Sequence, residues 1–263
     1  MASVPAAAQV LAILRYLASQ VGPVRAASIG RELQLPRSTT YHLLDTLVTA
    51  GFVVHLPDER RYGLGLSSHE LAYGYSRQAP LQRVARLPLA ELVDRTGYNG
   101  HLAVPHGREV IYVIEERARK RPPLVTDVGI RLPAHLTASG RAMLAALSLA
   151  QLRALFPAPE AFVLRTELGP ASLSALRRLL TQARRQGYAE EAGDVTDGYG
   201  SVAVTVLDHT AHPVAAVALT YPRAELDAGS RSQLAAQVAR TANLLSRRLG
   251  GRPVRDNPYR ARV

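Results

Sequence analysis

Leu35-Pro36-Arg37-Ser38-Thr39-Thr40-Tyr41-His42-Leu43-Leu44, running on through Leu47 to Ala50-Gly51-Phe52-Val53, decides the reading of this chain. Pro36 cannot continue a preceding helix but suits the start of the next one. Leu43, Leu44 and Leu47 give that next helix a buried side, and Gly51 suits a left-handed cap at its end. Its first turns present Arg37, Ser38, Thr39, Tyr41 and His42, with no carboxylate before Asp45. Hydroxyls and planar donors at a helix N-terminus suit phosphates and base edges.

Upstream, Val10, Ile13, Leu14 and Leu17 recur at helical spacing and predict a helix over residues 4–19, closed by Gly22-Pro23. A short helix over 26–33 follows, and Gln34-Leu35-Pro36 forms a tight connection. Downstream, residues 52–56 read as a strand, Pro57-Asp58-Glu59-Arg60 as a turn, and Arg61-Tyr62-Gly63-Leu64 as the return strand. Three helices and a hairpin make a winged helix-turn-helix, with Arg60 and Arg61 at the wing tip. The competing reading is a small helical unit used for protein contact.

Beyond residue 65 the pattern changes. Leu71 and Tyr75 predict a linker helix over 67–79. A helix over 81–96 buries Leu87, Leu89, Leu92 and Val93, with Pro88 kinking or restarting it. Alternation around Pro105-His106-Gly107-Arg108 predicts one hairpin, and strands over 201–207 and 214–221 a second. Leu124-Val125 and the region of Val128 suggest a further strand. Helices are expected over 139–147, 149–155, 172–186 and 228–249. The class is α+β, divided as a winged helix-turn-helix over 1–66, a linker helix over 67–80, an effector-binding and oligomerisation domain over 81–249, and a basic, disordered tail over 250–263.

Bulk properties narrow the function. The 263 residues carry a formal net charge of +11, favouring a polyanionic partner. Yet six arginines in residues 1–65 face four carboxylates, a net of only +2, so the case for DNA rests on pattern. Cysteine is absent, which removes disulfides and thiolate chemistry. With no signal-like N-terminus and no long apolar run, a cytoplasmic protein that does not engage membranes is expected.

The stretch from Leu35 to Leu44, the following Ala50-Gly51-Phe52-Val53 and Arg61-Tyr62-Gly63-Leu64-Gly65 resemble the recognition helix and wing of the IclR family of bacterial regulators. So do Pro133-Ala134-His135-Leu136-Thr137-Ala138-Ser139-Gly140-Arg141-Ala142 and the segment from Gly187-Tyr188-Ala189-Glu190-Glu191 through Ser201-Val202-Ala203 to Val217. The family usually has Lys at Arg141, commonly Glu at Asp194 and often Pro at Thr205. The resemblance covers roughly residues 5–249. It implies a GAF- or profilin-like effector domain, a linker that helps dimerise the DNA-binding domains, and a homodimer or dimer of dimers on a near-palindromic double-stranded operator, with repression the expected mode.

Thr137 is a candidate N-cap, and a helix starting Ala138-Ser139-Gly140 would offer approachable amides to a carboxylate. The resemblance implies that the backbone amides of Ala138 and Ser139 hold the carboxylate of a small organic acid. It implies that Glu191, Ser201 and Thr220 add polar contacts, while Ala218, polar in some relatives, leaves the pocket more apolar. Glu190, Glu191 and Asp194 also read as a solvated loop, and His101 and His135 as hydrogen-bonded structural histidines. No cofactor or metal motif is present. A Gly-x-Ser-x-Gly elbow, a His-Glu-x-x-His pair, a Walker loop and a Rossmann loop are all missing, so no enzyme is expected. The alternatives are a protein-interaction module with non-specific DNA binding and a small-ester or amide hydrolase using Ser139.

Overall fold

The computed structural model describes residues 4–71, 80–119, 121–122 and 126–251. The chain divides into two units, residues 1–79 and 80–263. Most of the expected linker helix, the Leu124-Val125 strand and the tail beyond residue 251 lie outside the described residues; helical backbone is present over 66–71.

The first unit consists of α1 (Pro5–Ala18), α2 (Ala26–Glu32), α3 (Arg37–Thr49), β1 (Val53–Leu56) and β2 (Arg61–Leu64). One small core of Ile13, Leu17, Ala26, Ile29, Leu44, Leu47 and Val53 ties the three helices to the hairpin. Two left-handed residues make the corners. Gln34, at φ 54°, turns the chain between α2 and α3, and Gly51, at φ 74°, turns it from α3 into β1. The α2–α3 approach is close: a Cβ on Gly30 would lie 3.0 Å from Thr40 Oγ1. That hydroxyl is itself buried and donates to the Pro36 carbonyl at 3.0 Å. Val24 pairs with Tyr62 through reciprocal backbone bonds of 2.9 and 2.7 Å, anchoring the wing to the start of α2. The reading of Gly22-Pro23 as a helix stop gave no sign of this third strand segment.

In the second unit, α4 (Pro80–Thr96), β3 (Asn99–His106), β4 (Glu109–Glu116), β5 (Arg131–Pro133), α5 (Ala138–Leu144), α6 (Leu149–Leu155), α7 (Leu173–Gln186), β6 (Ala189–Ala192), β7 (Tyr199–Leu207), β8 (Pro213–Pro222) and α8 (Ala228–Arg248) follow in order. The six strands form one antiparallel sheet in the order β5-β4-β3-β8-β7-β6. Helices cover both faces. Val202, Val204, Val206, Val217 and Leu219 pack with Leu89, Leu92 and Val93 of α4 and Leu234, Val238 and Leu245 of α8. The opposite face is lined with small residues, Ala103, Ala189, Ala203, Ala216 and Ala218, which let α5 lie close against it, with α6 and α7 beyond. The period-two alternation of β7 divides these sets, valines to one face and Ser201, Ala203 and Thr205 to the other.

Several expectations are corrected. Helix α4 runs through Pro88 as one element, and Leu87 is 67% exposed while Leu89 and Leu92 are fully buried. The backbone at Val128 forms a turn, not a strand; the edge strand lies at β5 instead. The segment containing Glu190 and Glu191 is β6, the opposite edge, not a loop. Helix α5 ends at Leu144, three residues short of expectation.

Candidate functional sites

The donor-rich surface of the first unit is built by α3 and the wing. Arg37, Ser38, Tyr41 and His42 are exposed and Thr39 is half-buried, while Thr40, Leu44 and Leu47 turn inward. Tyr41 keeps 44% of its surface accessible, and the Arg37 guanidinium carbon sits 5.9 Å from its ring centroid. This contact orients a flexible side chain at little entropic cost. Pro36 occupies the N-cap position and donates no side-chain cap, so the first amides of α3 face outward without a competing side chain. On the wing, Arg60 takes φ 51° at the exposed tip. Arg61, also exposed, lies 3.8 Å from Glu59 and donates to the Pro23 carbonyl at 3.4 Å. His55 stacks on Tyr62, ring centroids 4.5 Å apart, stiffening the two wing strands across their middle.

The second candidate site is buried between the sheet and α5. Strand register places Thr220, Ser201 and Glu191 in one row across β8, β7 and β6, and His101, Ala218, Ala203 and Ala189 in the next row across β3, β8, β7 and β6. Ala138, Ser139, Glu191, Ser201, Ala218 and Thr220, all six expected ligand contacts, line a single small cavity. His101, Tyr112, Thr126, Thr137, Val195, Thr196 and Tyr199 complete it. Ten of these thirteen residues carry a polar side chain, so the expectation of a more apolar pocket, drawn from Ala218 alone, is wrong. The space is about 20 Å³, enough for one water molecule.

Hydrogen bonding in this cavity is uneven. Ser201 Oγ donates to Glu191 Oε1 at 2.7 Å and lies 3.0 Å from Thr220 Oγ1. The Asp194 amide donates to Glu191 Oε2 at 3.2 Å. Burial nonetheless pushes the Glu191 carboxyl up to about 7, the Ser201 bond only partly offsetting desolvation. Thr137 caps α5 as expected, its hydroxyl accepting from the Gly140 amide at 2.9 Å. The amides of Ala138 and Ser139 therefore stand at the helix start, with no intrahelical acceptor. His101, 1% exposed, bonds Thr126 Oγ1 through Nε2 at 3.3 Å, and burial pushes its imidazole down to about 4. His101 Nδ1 and Ser139 Oγ have no hydrogen-bond partner among the described residues. The Thr137 and Ser139 hydroxyls lie near enough to Tyr112 to ease ionisation of its phenol, which burial raises well above the usual range. For Ser139 that proximity falls short of hydrogen-bond geometry.

Behind Glu191 lies an ion pair that sequence reading passed over. Arg141, 4% exposed, pairs with Asp194 and also donates to the carbonyls of His135 and Glu190, each at 2.8 Å. All three bonds come from one planar guanidinium, so Arg141 locks α5 to the strand and turn that carry Glu191. The departures of this chain from the family pattern at positions 141 and 194 are thus one paired change, a longer cation facing a shorter anion.

A bonded nucleophile and base are not found around Ser139. His135 bonds the Val163 carbonyl at 2.9 Å and packs edge-on against Phe156 and Phe162, as a structural histidine does. His101 bonds Thr126 rather than Ser139. Among the described residues no cluster of three His, Asp or Glu could hold a metal, and no helix is long and apolar enough to cross a membrane.

Residues 73–247 match the family described as bacterial transcriptional regulator IclR C-terminal, and residues 6–57 match the IclR helix-turn-helix domain. The chain is 30% identical over 240 residues to the HTH-type transcriptional regulator XynR of Escherichia coli K12, covering 91% of this chain and 95% of the relative. It is 26% identical over 246 residues to the HTH-type transcriptional repressor AllR of Klebsiella pneumoniae, covering 94% and 90%. A crystal structure of an IclR homologue from Microbacterium hydrocarbonoxydans, complexed with 4-hydroxybenzoate, shares the fold at a TM-score of 0.77 and 24% identity over 92% of this chain and 99% of that one. With both of its domains matched, in order, this chain belongs to the IclR family of bacterial transcriptional regulators.

Proposed function

We propose that the chain is a sequence-specific transcriptional regulator whose operator affinity is set by a small carboxylate bound in the second unit. The observation that carries this reading is the pairing of opposites in one chain: exposed donors on α3 and the wing, and a buried polar cavity behind α5. Arg37, Ser38, Thr39, Tyr41 and His42 read base edges and flanking phosphates, while Arg60 and Arg61 hold the adjacent backbone. Two copies in a homodimer, or four in a dimer of dimers, place recognition helices on a near-palindromic site. The amides of Ala138 and Ser139 receive the ligand carboxylate, and Glu191, Ser201 and Thr220 bind the rest of the molecule. Binding that favours one of two conformations shifts the population between DNA-competent and DNA-released states. Repression is the mode favoured, as the AllR relative is named a repressor.

The experiment is fluorescence anisotropy of the DNA upstream of the chain's own gene, titrated with purified protein at about 150 mM salt. An unrelated fragment of equal length serves as control. A preference of about a thousandfold or more for the upstream fragment is expected of a specific regulator. Equal, salt-sensitive binding to both fragments, repeated across the neighbouring promoters, would leave only a basic surface and sink the proposal.

A further inference from the structure

We infer that the buried cavity takes a small aliphatic carboxylate bearing one or more hydroxyl groups, and that Glu191 and His101 read those hydroxyls. The inference rests on the reading of this cavity as the effector site and narrows the ligand class within it.

The case begins with what is left unsatisfied. His101 Nδ1 and Ser139 Oγ have no partner among the described residues, although each residue is only 1% exposed. Buried polar groups are nearly always hydrogen-bonded, and such exceptions mark places where a ligand or water completes the network. Both residues line the same cavity. Glu191 is underused as well. Each of its oxygens accepts one bond, from Ser201 and from the Asp194 amide, out of the roughly four that a carboxylate can accept.

The unused groups set the complement. Ser139 and the amides at the start of α5 donate, which suits a carboxylate. Glu191 wants donors when ionised and offers one when protonated. A neutral His101 ring offers either an N–H or a lone pair at Nδ1. A hydroxyl is donor and acceptor at once and satisfies each of these in turn. An aromatic acid satisfies none of them at its ring, and its apolar surface would meet mainly Ala138, Val195 and Ala218. Each buried polar group left unpaired lowers affinity roughly tenfold to a hundredfold. The Microbacterium homologue complexed with 4-hydroxybenzoate therefore differs from this chain in ligand class while sharing its fold.

The test is isothermal titration calorimetry on the full-length protein with matched acids: glycerate against propanoate, gluconate against hexanoate, and benzoate as the aromatic case. At least one hydroxylated acid should bind at least about tenfold tighter than its deoxy partner. Glu191→Gln and His101→Gln should each remove most of that preference while leaving the deoxy acid unchanged. Ser201→Ala, further from the core, serves the same purpose should either variant fail to fold. Equal binding within both pairs, or benzoate binding tightest, would overturn the ligand class and leave the site standing. Absence of binding by every acid to folded protein, or binding that survives filling the cavity with Ser139→Trp, would overturn the site reading and the proposal with it.

Discussion

The two units carry their polar chemistry in opposite ways. In the first, one small core supports a face whose arginines, hydroxyls and histidine stand in solvent. In the second, a two-faced sheet buries Glu191, Arg141, Asp194 and His101 among apolar layers. An exposed group is already solvated, so removing it changes what the surface can bind and little else. A buried group is held by partners that lose their own satisfaction when it goes. Function and stability should therefore separate cleanly in the first unit and remain entangled in the second.

The sharpest way to break that contrast is at Arg141. Replacing it with Ala leaves the Asp194 carboxylate buried without its cation and two carbonyls without a donor. The expected loss is about 3–5 kcal/mol of unfolding free energy, read by urea denaturation. A cost below about 1 kcal/mol would show that the pair is not the lock between α5 and the strand edge. The double variant Arg141→Lys/Asp194→Glu adds precision. The family pattern at these positions predicts a favourable coupling of about 1 kcal/mol relative to the two single changes. Strict additivity would mean that the two positions vary independently.

A second effect is expected in the pH dependence of stability. The folded carboxyl of Glu191 is raised to about 7 from an ordinary 4.5, so the folded state holds a proton that the unfolded state has lost across that window. Its contribution to stability is fully present below pH 4.5 and is lost as pH rises through about 7. His101 works in the other direction: lowered to about 4 from 6.5, it withdraws stability as pH falls through that range. The two slopes oppose each other between about pH 4.5 and 6.5. Wild type therefore hides them, and Glu191→Gln exposes them. Measured against wild type, Glu191→Gln should gain about 1.4 kcal/mol per pH unit between roughly pH 4.5 and 7. A difference that stays flat with pH would place the buried proton elsewhere.

In the first unit the effects should be smaller in stability and specific in binding. Arg37→Ala should weaken operator binding by about 1–3 kcal/mol and relax sequence preference at one position. Its thermal unfolding should change by less than about 0.5 kcal/mol, as expected for an exposed site. A folded Arg37→Ala protein with undiminished operator affinity would remove α3 from the interface. The mildest change is at the wing tip. Arg60→Ala should weaken binding to all sequences alike and reduce the salt dependence of log K by about one.

The same contrast explains what could be read without coordinates. Helical spacing of Leu43, Leu44 and Leu47 separates the inner from the outer side of α3, so its exposed residues follow from periodicity. The hairpin follows from turn residues between alternating strands. The pairing of Val24 with Tyr62 does not, because a single bridged residue beside Gly22-Pro23 has no period to reveal it. Strand β6 is equally hidden. Ala189-Glu190-Glu191-Ala192 has low strand propensity, and only its place beside β7 makes it a strand and buries Glu191. The Arg141–Asp194 pair joins residues 53 positions apart, a distance over which sequence pattern says nothing. His101 read as an ordinary structural histidine, because neither its unpartnered nitrogen nor the cavity beside it leaves a mark on the sequence. The ligand residues were reached through family resemblance, and what this chain adds, the strongly polar lining, appears only once the rows of β8, β7 and β6 are aligned.

The central claim is that the buried cavity controls the exposed recognition face. The direct measurement is the anisotropy-derived Kd for the operator, with and without a saturating acid identified by calorimetry, in wild type and in Ser139→Trp. The acid should shift the wild-type Kd at least about fivefold, a coupling at the lower end of allosteric effects. Ser139→Trp should keep operator binding and lose the response to the acid. A ligand that saturates the cavity while the operator Kd stays the same would contradict the claim.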